Sequence, residues 1–518
     1  MAEEKNQKKK PGIFLRILKW FGLGVLILLL IAGLFFRAPL KVNGLLLIFL
    51  LACTALPKKA IKWFWLCVGV VVIALIIWVF LPDETQGWRP YTFDEELAAL
   101  EAKRAIPDEE NAARIYNELL GDYNPNVCPV DPNADVQLLL PVREPWKSNE
   151  HPRLAQWFKD KQGEITQLLE ASEIDKCRFP IETDITGYTQ QQVRLARMRR
   201  WAYWLVTMAN NDRGEGRTDE ALKKEIAVLR IAQHQYQQPT IINLLVGVAI
   251  ESFGIQQVKR VVATGDAGEQ YLKTIEQTLS EIEYDWAGDF PRVLDYEKLL
   301  VMNIWAICYE VNKDGRVRLT RNLMEAITPV LPEDMQDKPM ITYAQRKLAK
   351  AFMILLWFYM PSNPKEIGKA VDTAYEKYNE MLKPDYDWSK EPGKYSIDEL
   401  VSFGLDWRRD IEHSVHTLEE TLHNMHYAYL LVTSDKRGSR IMVALRRYKN
   451  KTGHWPESLD EVRDLAPEEI FIDPLNNGSF VYKLSDENFT LYSKGKNGVD
   501  GGGTCDDEAG ADDRPIWP

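Results

Sequence analysis

Residues 440–462 read RIMVALRRYKNKTGHWPESLDEV, and this stretch decides how the end of the chain folds. Apolar residues recur at the helical period until Gly453, after which a Trp-Pro pair breaks the helix. Ser458 is a residue type that caps helices at their N-termini. The stretch therefore predicts an amphipathic helix that ends at Gly453, a turn, and a short helix that begins after Ser458.

Two β-rich runs follow this pair of helices. They read IFIDPLNNGSFVYKL (470–484) and ENFTLYSKG (487–495), and Asn-Asn-Gly and Ser-Asp-Glu-Asn turns bracket them. The last residues, 496–518, form the Gly- and Asp-rich segment KNGVDGGGTCDDEAGADDRPIWP. The pattern predicts a small α+β domain over residues 436–518.

Several motifs of this domain occur in the order found in a known bacterial family. A-L-x-x-Y and G-x-W-P are followed by S-L-D-E-V, D-P-L-x-N-G, an aromatic strand and L-Y-S-x-G-x-N-G, and an acidic pair then precedes a tryptophan. The residues are Ala444, Leu445, Tyr448, Gly453, Trp455, Pro456, Asp473, Pro474, Leu475, Asn477, Gly478, Phe480, Tyr482, those at 491–498, Asp512 and Asp513. Over residues 440–518 the chain thus resembles the globular domain of the major pseudopilin of bacterial type II secretion systems, the protein G-like family.

The rest of the chain departs from the pseudopilin pattern. Pseudopilins carry a short leader that is cleaved before a Phe, a Glu near the start of the mature chain, and one hydrophobic helix used for assembly. No such G-F-T-x-x-E pattern precedes an apolar run here. The resemblance therefore implies a pseudopilin-like module on an anchored protein of the bacterial envelope.

The resemblance also implies a calcium site. In pseudopilins the loop after the last strand binds Ca²⁺ through acidic side chains and backbone carbonyls, which suits a hard cation with about 6–8 oxygen ligands. Carried over to this chain, the metal residues are Asn497, Asp500, Asp512 and Asp513. Asn497 stands where the family has Asp, which weakens the implied site. A solvated acidic tail is the alternative interpretation.

Residues 1–82 have the pattern of a membrane anchor. The segments at 20–36 and 63–81 are apolar and uncharged, and each approaches the ~20 residues that cross a bilayer. The segment at 42–56 is shorter, and it spans only if Lys41 and Lys58 extend toward the interfaces. The alternative for 42–56 is a re-entrant or interfacial segment.

Basic residues decide between these topologies. The N-terminal tail holds six, the loop at 37–41 two and the loop at 57–62 three. Basic flanks prefer the cytoplasm, and three spans with the N-terminus inside place nine inside and two outside. Two spans would place all five loop residues outside. We therefore predict three spans in the bacterial cytoplasmic (inner) membrane, with the lipid bilayer as a partner and residues 83–518 outside the cytoplasm.

The net charge of the chain is divided in the same way. Of the total of −11, residues 1–82 contribute +9, and the remainder therefore carries −20. Phosphate contacts need a basic surface, which this large acidic portion lacks. Nucleic acid is therefore excluded as the main partner.

Residues 83–435 are predicted to form an extracytoplasmic α-helical domain. Two short helices flank Pro107, with Asp108 as the N-cap of the second. Longer helices follow at 151–172, 188–211, 217–236, 239–264, 267–283, 291–312, 340–359 and 364–383. In 188–211 one apolar stripe is predicted, containing Val193, Ala196, Trp201, Trp204, Leu205 and Met208. Helices of this length favour a bundle or an irregular array of helical hairpins.

Four of the seven histidines lie within fourteen residues, at His413, His416, His423 and His426. Glu420-x-x-His423 matches one Glu-x-x-His unit of di-iron bundles, but that site needs a second unit and carboxylates on facing helices. Structural or solvent-facing histidines are one interpretation of the cluster. A transition-metal site that spans His413 to His426 is the other.

Cysteines and catalytic motifs add little to the functional argument. In an oxidising compartment Cys128 and Cys177 could form a disulfide. The chain contains no P-loop, Gly-x-Gly-x-x-Gly, Gly-x-Ser-x-Gly or His-Glu-x-x-His motif. There is thus no specific reason to predict an enzyme.

Together these patterns predict a mainly α protein with N-terminal transmembrane helices, a large α-helical bundle or hairpin array, and a small C-terminal α+β pseudopilin-like domain. The expected function is that of a non-catalytic, membrane-anchored scaffold that binds an unidentified protein partner in the envelope and Ca²⁺ in its C-terminal module. The alternatives are a metal-dependent enzyme that uses the His413–His426 cluster, and an accessory component of a type II secretion-like system.

The topology can be tested with reporters fused after residue 90. A reporter that fluoresces only in the cytoplasm should stay dark, and an enzyme that is active only outside the cytoplasm should be active, because three spans export this position. The opposite pair of results would contradict the three-span topology.

Overall fold

The structure is a computed structural model that describes residues 87–121, 143–181, 185–265, 267–320, 359–376, 378–383, 386–388, 407–485, 488–506 and 511–517. The predicted spans at 20–36, 42–56 and 63–81 lie outside these residues, as does nearly all of the predicted helix at 340–359. Within the described ranges the chain is mainly helical with small sheets, as predicted.

The helices and strands follow in this order. The helices are α1 (Asp94–Lys103), α2 (Ala113–Gly121), α3 (Pro152–Asp160), α4 (Gln162–Glu173), α5 (Ile185–Gly214), α6 (Thr218–Tyr236), α7 (Ile241–Thr264), α8 (Glu269–Glu281), α9 (Trp286–Ala306), α10 (Lys365–Tyr375), α11 (Tyr378–Met381) and α12 (Trp407–Thr452). The strands are β1 (Trp88–Pro90), β2 (Tyr309–Asn312), β3 (Val317–Leu319), β4 (Val481–Leu484), β5 (Phe489–Ser493), β6 (Cys505–Asp506), β7 (Ala511–Asp512) and β8 (Arg514–Trp517). Short 3-10 helices lie at Asp108–Glu110, Leu459–Leu465 and Glu468–Phe471.

The described residues fall into two compact units. The first contains residues from 87–93, 300–380 and 407–419, and the second contains residues from 94–299, 381–388 and 420–517. The predicted boundary between residues 435 and 436 falls inside the continuous helix α12.

In the second unit, α6 packs against α4, α5, α7 and α8. Tyr116 and Trp201 stack on each other in the core beside α6, with their ring centroids 5.9 Å apart. The Tyr116 hydroxyl hydrogen-bonds His234 Nδ1 at 2.9 Å, and the other ring nitrogen of His234 lies 2.7 Å from the Ile174 carbonyl. Burial lowers the pKa of His234 to about 4, so its ring is neutral at pH 7.

Among the described residues, α7 is the one helix long and apolar enough to cross a membrane by length and composition. Its polar side chains have partners within the second unit. Asn243 donates to Gln235 Oε1 at 2.9 Å, and Gln257 donates to Asn210 Oδ1 at 2.7 Å. These buried hydrogen bonds are typical of a core helix.

Buried charges attach α12 to α7. Lys436 Nζ lies 3.1 Å from Glu251 Oε1, and the Glu251 side chain is 1% exposed. Glu251 also accepts a short hydrogen bond from the Tyr236 hydroxyl. A second pair joins Lys259 to Asp435 at 2.7 Å. Loss of one partner from a buried pair leaves an uncompensated charge and costs about 3–5 kcal/mol.

The same helix completes the C-terminal end of α7 and contacts the C-terminal sheet. Arg446 donates through Nε to the Val262 carbonyl and through Nη2 to the Ala263 carbonyl, both at 2.7 Å. These are carbonyls of the last turn of α7, which a cation satisfies well. At Gly438 an added Cβ would lie 2.7 Å from Ile516 side-chain carbons, so β8 packs directly on the α12 backbone.

The C-terminal sheet has the order β4-β5-β8 and is antiparallel throughout, and β6 and β7 form a separate two-stranded ribbon. The predicted helix end at Gly453 is confirmed, since α12 ends at Thr452 and Gly453 has φ +90°. Ser458 precedes the 3-10 helix Leu459–Leu465, and its N–H donates to Glu461 Oε1 at 3.3 Å.

The first unit contains the sheet β1-β2-β3, which the sequence analysis did not predict. The predicted helix at 291–312 is wrong at its end, because α9 stops at Ala306 and 309–312 is strand β2. A tight turn explains the difference. Asn312 Oδ1 accepts from the N–H groups of Asp314 and Arg316 at 3.0 and 2.8 Å, and Gly315 adopts φ +76°. An Asn-x-Asp-Gly turn of this kind favours a hairpin.

Other helix predictions also need correction. The predicted helix at 151–172 is two helices, α3 and α4, that meet at Lys161. Asp108 does not cap α2, because the Asn111 side chain accepts from the N–H of Ala113 at 3.1 Å instead. The apolar stripe of α5 is partly wrong, since Val193 is 47% exposed.

The buried face of α5 includes a charged residue in that region. Arg194 is buried and lies over the Phe179 ring at 4.2 Å. Its long stem and flat guanidinium pack as apolar surface would, which the hydrophobic period does not detect.

Cys177 is a buried free thiol. Its predicted disulfide partner, Cys128, lies outside the described residues.

Candidate functional site

The candidate site is the loop between β5 and β6, together with the acidic pair formed by the last residue of β7 and the residue that follows it. All four residues predicted from the pseudopilin resemblance lie here: Asn497 and Asp500 in the loop, Asp512 in β7 and Asp513 directly after it. Gly495, Gly498, Gly502 and Gly503 have φ between +62° and +83°, which allows the loop to fold tightly around the carboxylates.

A fourth carboxylate, Asp473, anchors the loop to the helix and the sheet. Asp473 is fully buried, and its Oδ1 accepts from the Ser434 hydroxyl at 2.9 Å and from the Leu475 N–H at 3.1 Å. Its Oδ2 accepts from the Asn476 amide at 2.9 Å and from the Ser493 hydroxyl. One carboxylate therefore joins α12, the Asn-Asn-Gly turn and the end of β5.

The Asp473 network gives a structural role to two of the sequence motifs. Asp473 begins D-P-L-x-N-G, and Ser493 belongs to L-Y-S-x-G-x-N-G. Asn476 then donates to the Gly495 carbonyl at 2.7 Å, which fixes the start of the loop.

Asp512 holds the first part of the loop. Its Oδ2 accepts from the N–H groups of Lys496 and Asn497 at 2.8 and 3.1 Å. A Cβ at Gly495 would lie 2.4 Å from Asp512 Oδ1, so only glycine leaves room for the carboxylate. Asp512 Oδ1 is buried and has no hydrogen-bond donor.

Asp513 holds the second part of the loop. Its side chain is fully buried, and Oδ2 accepts from the N–H groups of Gly501 and Gly503 at 2.9 and 2.7 Å. Its Oδ1, like that of Asp512, is buried and has no donor. A buried, ionised oxygen is costly unless a donor or a cation compensates it.

Asp500 is engaged within the protein. Its Oδ1 accepts from the Tyr492 hydroxyl at 2.6 Å and from the Gly502 N–H at 2.9 Å, and Lys483 Nζ lies 3.6 Å from Oδ2. The Tyr492 hydrogen bond, followed by that of Gly502, holds the pKa of Asp500 below its usual range. Asn497 Oδ1 accepts from the Val499 N–H at 2.6 Å, which closes a local turn.

The structure thus places Asn497 and Asp500 in the loop and Asp512 and Asp513 against it, and the four residues have different contacts. Asp512 and Asp513 each leave one oxygen without a donor, whereas Asp500 has partners on both oxygens. Among the described residues no group of three or more His, Cys, Asp or Glu side chains is arranged to hold a metal ion. A cation here would therefore depend on backbone carbonyls in addition to the two carboxylates.

The histidine cluster lies along α12 and divides between the two units. His416 Nδ1 lies 2.9 Å from Glu419 in the first unit. In the second unit, His426 stacks on Trp388 at 3.8 Å, and His423 contacts the same ring at 5.2 Å. Burial, and then the nearby His423, lower the pKa of His426 to about 4. His426 is therefore neutral at pH 7 and packs as an aromatic ring.

Comparison of the whole chain with protein-family models, with curated proteins and with solved structures finds no match in any of the three.

The substitution Asp473→Asn measures how much the buried Asp473 carboxylate contributes to stability. The amide would place an NH₂ group opposite two of the four donors, so we expect the free energy of unfolding of the second unit to fall by about 2–4 kcal/mol. Denaturant unfolding followed by tryptophan fluorescence measures this change. The matched control Asp464→Asn alters an exposed carboxylate and should change stability by less than about 0.5 kcal/mol. Equal effects of the two substitutions would contradict the anchoring role.

Proposed function

We propose that this protein is a non-catalytic, membrane-anchored scaffold of the bacterial envelope, with a C-terminal module that binds Ca²⁺. The anchor is proposed from the apolar segments and basic flanks of residues 1–82. The Ca²⁺-binding module is proposed from the order of its motifs and from Asp512 and Asp513, which accept hydrogen bonds from the N–H groups of its loop. Its partner would be another protein of the envelope.

The observation that carries the calcium proposal is the buried, donor-free Oδ1 of Asp513. Asp513 Oδ2 already accepts hydrogen bonds from two loop N–H groups. The carboxylate therefore cannot rotate to bring Oδ1 to a donor without losing those two hydrogen bonds. Asp512 has the same arrangement on the first part of the loop. A hard divalent cation would neutralise both side chains, and carbonyls of the glycine-rich loop would supply further oxygens.

The scaffold proposal is supported by the way α12 joins the module to the helices of the second unit. The contacts made by Lys436, Asp435 and Arg446 with α7 are buried or nearly so. A module held by such contacts keeps a fixed orientation on the helices, as a docking platform requires. The histidines favour no second function, because His416 pairs with Glu419 and His426 stacks on Trp388.

An accessory role in a type II secretion-like system would be a narrower form of the same proposal. It rests on the pseudopilin resemblance. Co-purification of the full chain with membrane proteins of such a system would favour this role over a general envelope scaffold.

Calcium binding predicts a thermal shift of the full chain in neutral detergent. A ligand that binds only the folded state stabilises it by about 2.7 kcal/mol at a hundredfold excess over Kd, so the midpoint should rise with CaCl₂ and return with a chelator. The variant Asp512→Asn plus Asp513→Asn keeps an acceptor oxygen for the loop N–H groups but removes both charges. It should remain folded and lose the Ca²⁺ shift.

The control for this experiment removes the same charge elsewhere in the second unit. Asp464→Asn plus Glu469→Gln alters two exposed residues and should keep the full Ca²⁺ shift. An unmutated chain with the same midpoint in Ca²⁺ and in chelator would contradict the calcium proposal. If the thermal shift with Ca²⁺ persists in the Asp512/Asp513 variant, the ion binds at another site.

A further inference from the structure

A pocket of about 280 Å³ opens in the second unit, between α1, the segment after α4, the α6–α7 connection and α9. Five of the described residues that line it are cationic: Lys103, Arg104, Lys176, Arg178 and Arg292. Leu100, Ile106, Ile181 and Pro239 give it an apolar side. Its volume is near the lower end of the range for small-molecule pockets, roughly 300–1,000 Å³.

Arg104 forms the inner wall and is nearly buried. Its side chain is 8% exposed, and Nη2 donates to the Phe179 carbonyl at 3.2 Å and to Gln238 Oε1 at 3.1 Å. Its Nη1 is buried and makes no hydrogen bond, although it lies 3.8 Å from Glu101 Oε1. Two more buried guanidinium nitrogens without hydrogen bonds, Nε of Arg178 and Nε of Arg292, belong to the same pocket.

The electrostatics of Arg104 agree with this arrangement. Burial lowers the pKa of Arg104 to about 10; the carboxylate of Glu101 opposes the change, and the like charges of Arg178 and Arg292 add to it. An anion in the pocket would reduce the electrostatic repulsion among the three guanidinium groups.

The charge balance of the pocket selects the kind of anion. Glu101 pairs with Arg104 and Arg178, and Asp289 lies 3.3 Å from Arg292. At the exposed rim, Lys103 pairs with Asp295 at 3.3 Å and Lys176 pairs with Glu110. Five cations and the four carboxylates paired with them leave one positive charge. A monoanion matches this charge better than a phosphate dianion does, and guanidinium groups suit the flat carboxylate.

We propose that this pocket binds a small monocarboxylate with an apolar substituent, its carboxylate beside the guanidinium groups of Arg104, Arg178 and Arg292 and its substituent against the apolar lining residues Leu100, Ile106 and Pro239. This inference is independent of the calcium proposal, because none of its residues belongs to the C-terminal loop. Such a ligand carries one negative charge, a planar head group and a short apolar body.

The test uses the full chain in neutral detergent with hexanoate as the probe, and with hexanol and inorganic phosphate as comparisons. Binding is measured by saturation-transfer NMR and by competition. We expect saturable hexanoate binding and no saturable hexanol binding, because hexanol lacks the negative charge. Phosphate should bind at least about tenfold more weakly than hexanoate, because it has no apolar body to contact the apolar side of the pocket. Arg104→Lys should weaken hexanoate binding about tenfold or more, since it removes the planar guanidinium group but keeps the charge.

A second substitution keeps the proposal testable if Arg104→Lys disturbs the fold. Arg292→Gln lies at a part-exposed position and should weaken hexanoate binding severalfold, whereas Arg114→Gln, an exposed arginine on α2, should leave binding unchanged. Three results would overturn the proposal: no saturable hexanoate binding by the unmutated chain, equal saturable binding of hexanol, or unchanged hexanoate affinity in both the Arg104 and Arg292 variants.

Discussion

The buried ion pair between Lys436 and Glu251 is the contact on which the second unit depends. Glu251 projects from α7, a helix that is otherwise strongly apolar, and its carboxylate receives Lys436 from α12 and the hydroxyl of Tyr236 from α6. Three helices therefore meet at one buried charge. Because a buried carboxylate without partners costs several kcal/mol, α7 and α12 can pack here only in the register that brings Lys436 to Glu251.

This constraint also positions the candidate site. The same helix that carries Lys436 carries Ser434, which donates to Asp473, and Asp473 fixes the start of the glycine-rich loop through Asn476 and Ser493. Asp512 accepts hydrogen bonds from N–H groups in the first part of that loop, and Asp513 accepts from N–H groups in the second part. The loop is thus connected to the helices of the second unit through a continuous chain of buried polar contacts. In our proposal, Ca²⁺ would stiffen a platform whose orientation α12 already sets.

Parts of this fold are predictable from the sequence because they rest on strong local signals. The helix end at Gly453 follows from a glycine stop, and the strands β4 and β5 follow from β-rich runs that Asn-Asn-Gly and Ser-Asp-Glu-Asn turns bracket. The hairpin of β2 and β3 was missed because an apolar run before it extends the helical period, although the turn at Asn312 carried a local signal. The prediction of the buried face of α5 was partly wrong because the charged side chain of Arg194 is buried there and packs over Phe179. The pocket around Arg104 is lined by residues that are distant in sequence, so no local sequence pattern predicts it.

Hydrogen exchange can show how far the sheet depends on the Lys436–Glu251 pair, since it reports the opening free energy of α7 and β5 separately in the same molecule. If α12 joins the helices and the C-terminal sheet through the Lys436–Glu251 pair, Lys436→Met should lower the opening free energy of the slowest amides in both elements by the same amount, about 3–5 kcal/mol. If Lys436→Met lowered the opening free energy of α7 but left that of β5 unchanged, the dependence of the sheet on the Lys436–Glu251 pair would be contradicted, because the sheet would then be stable without that contact.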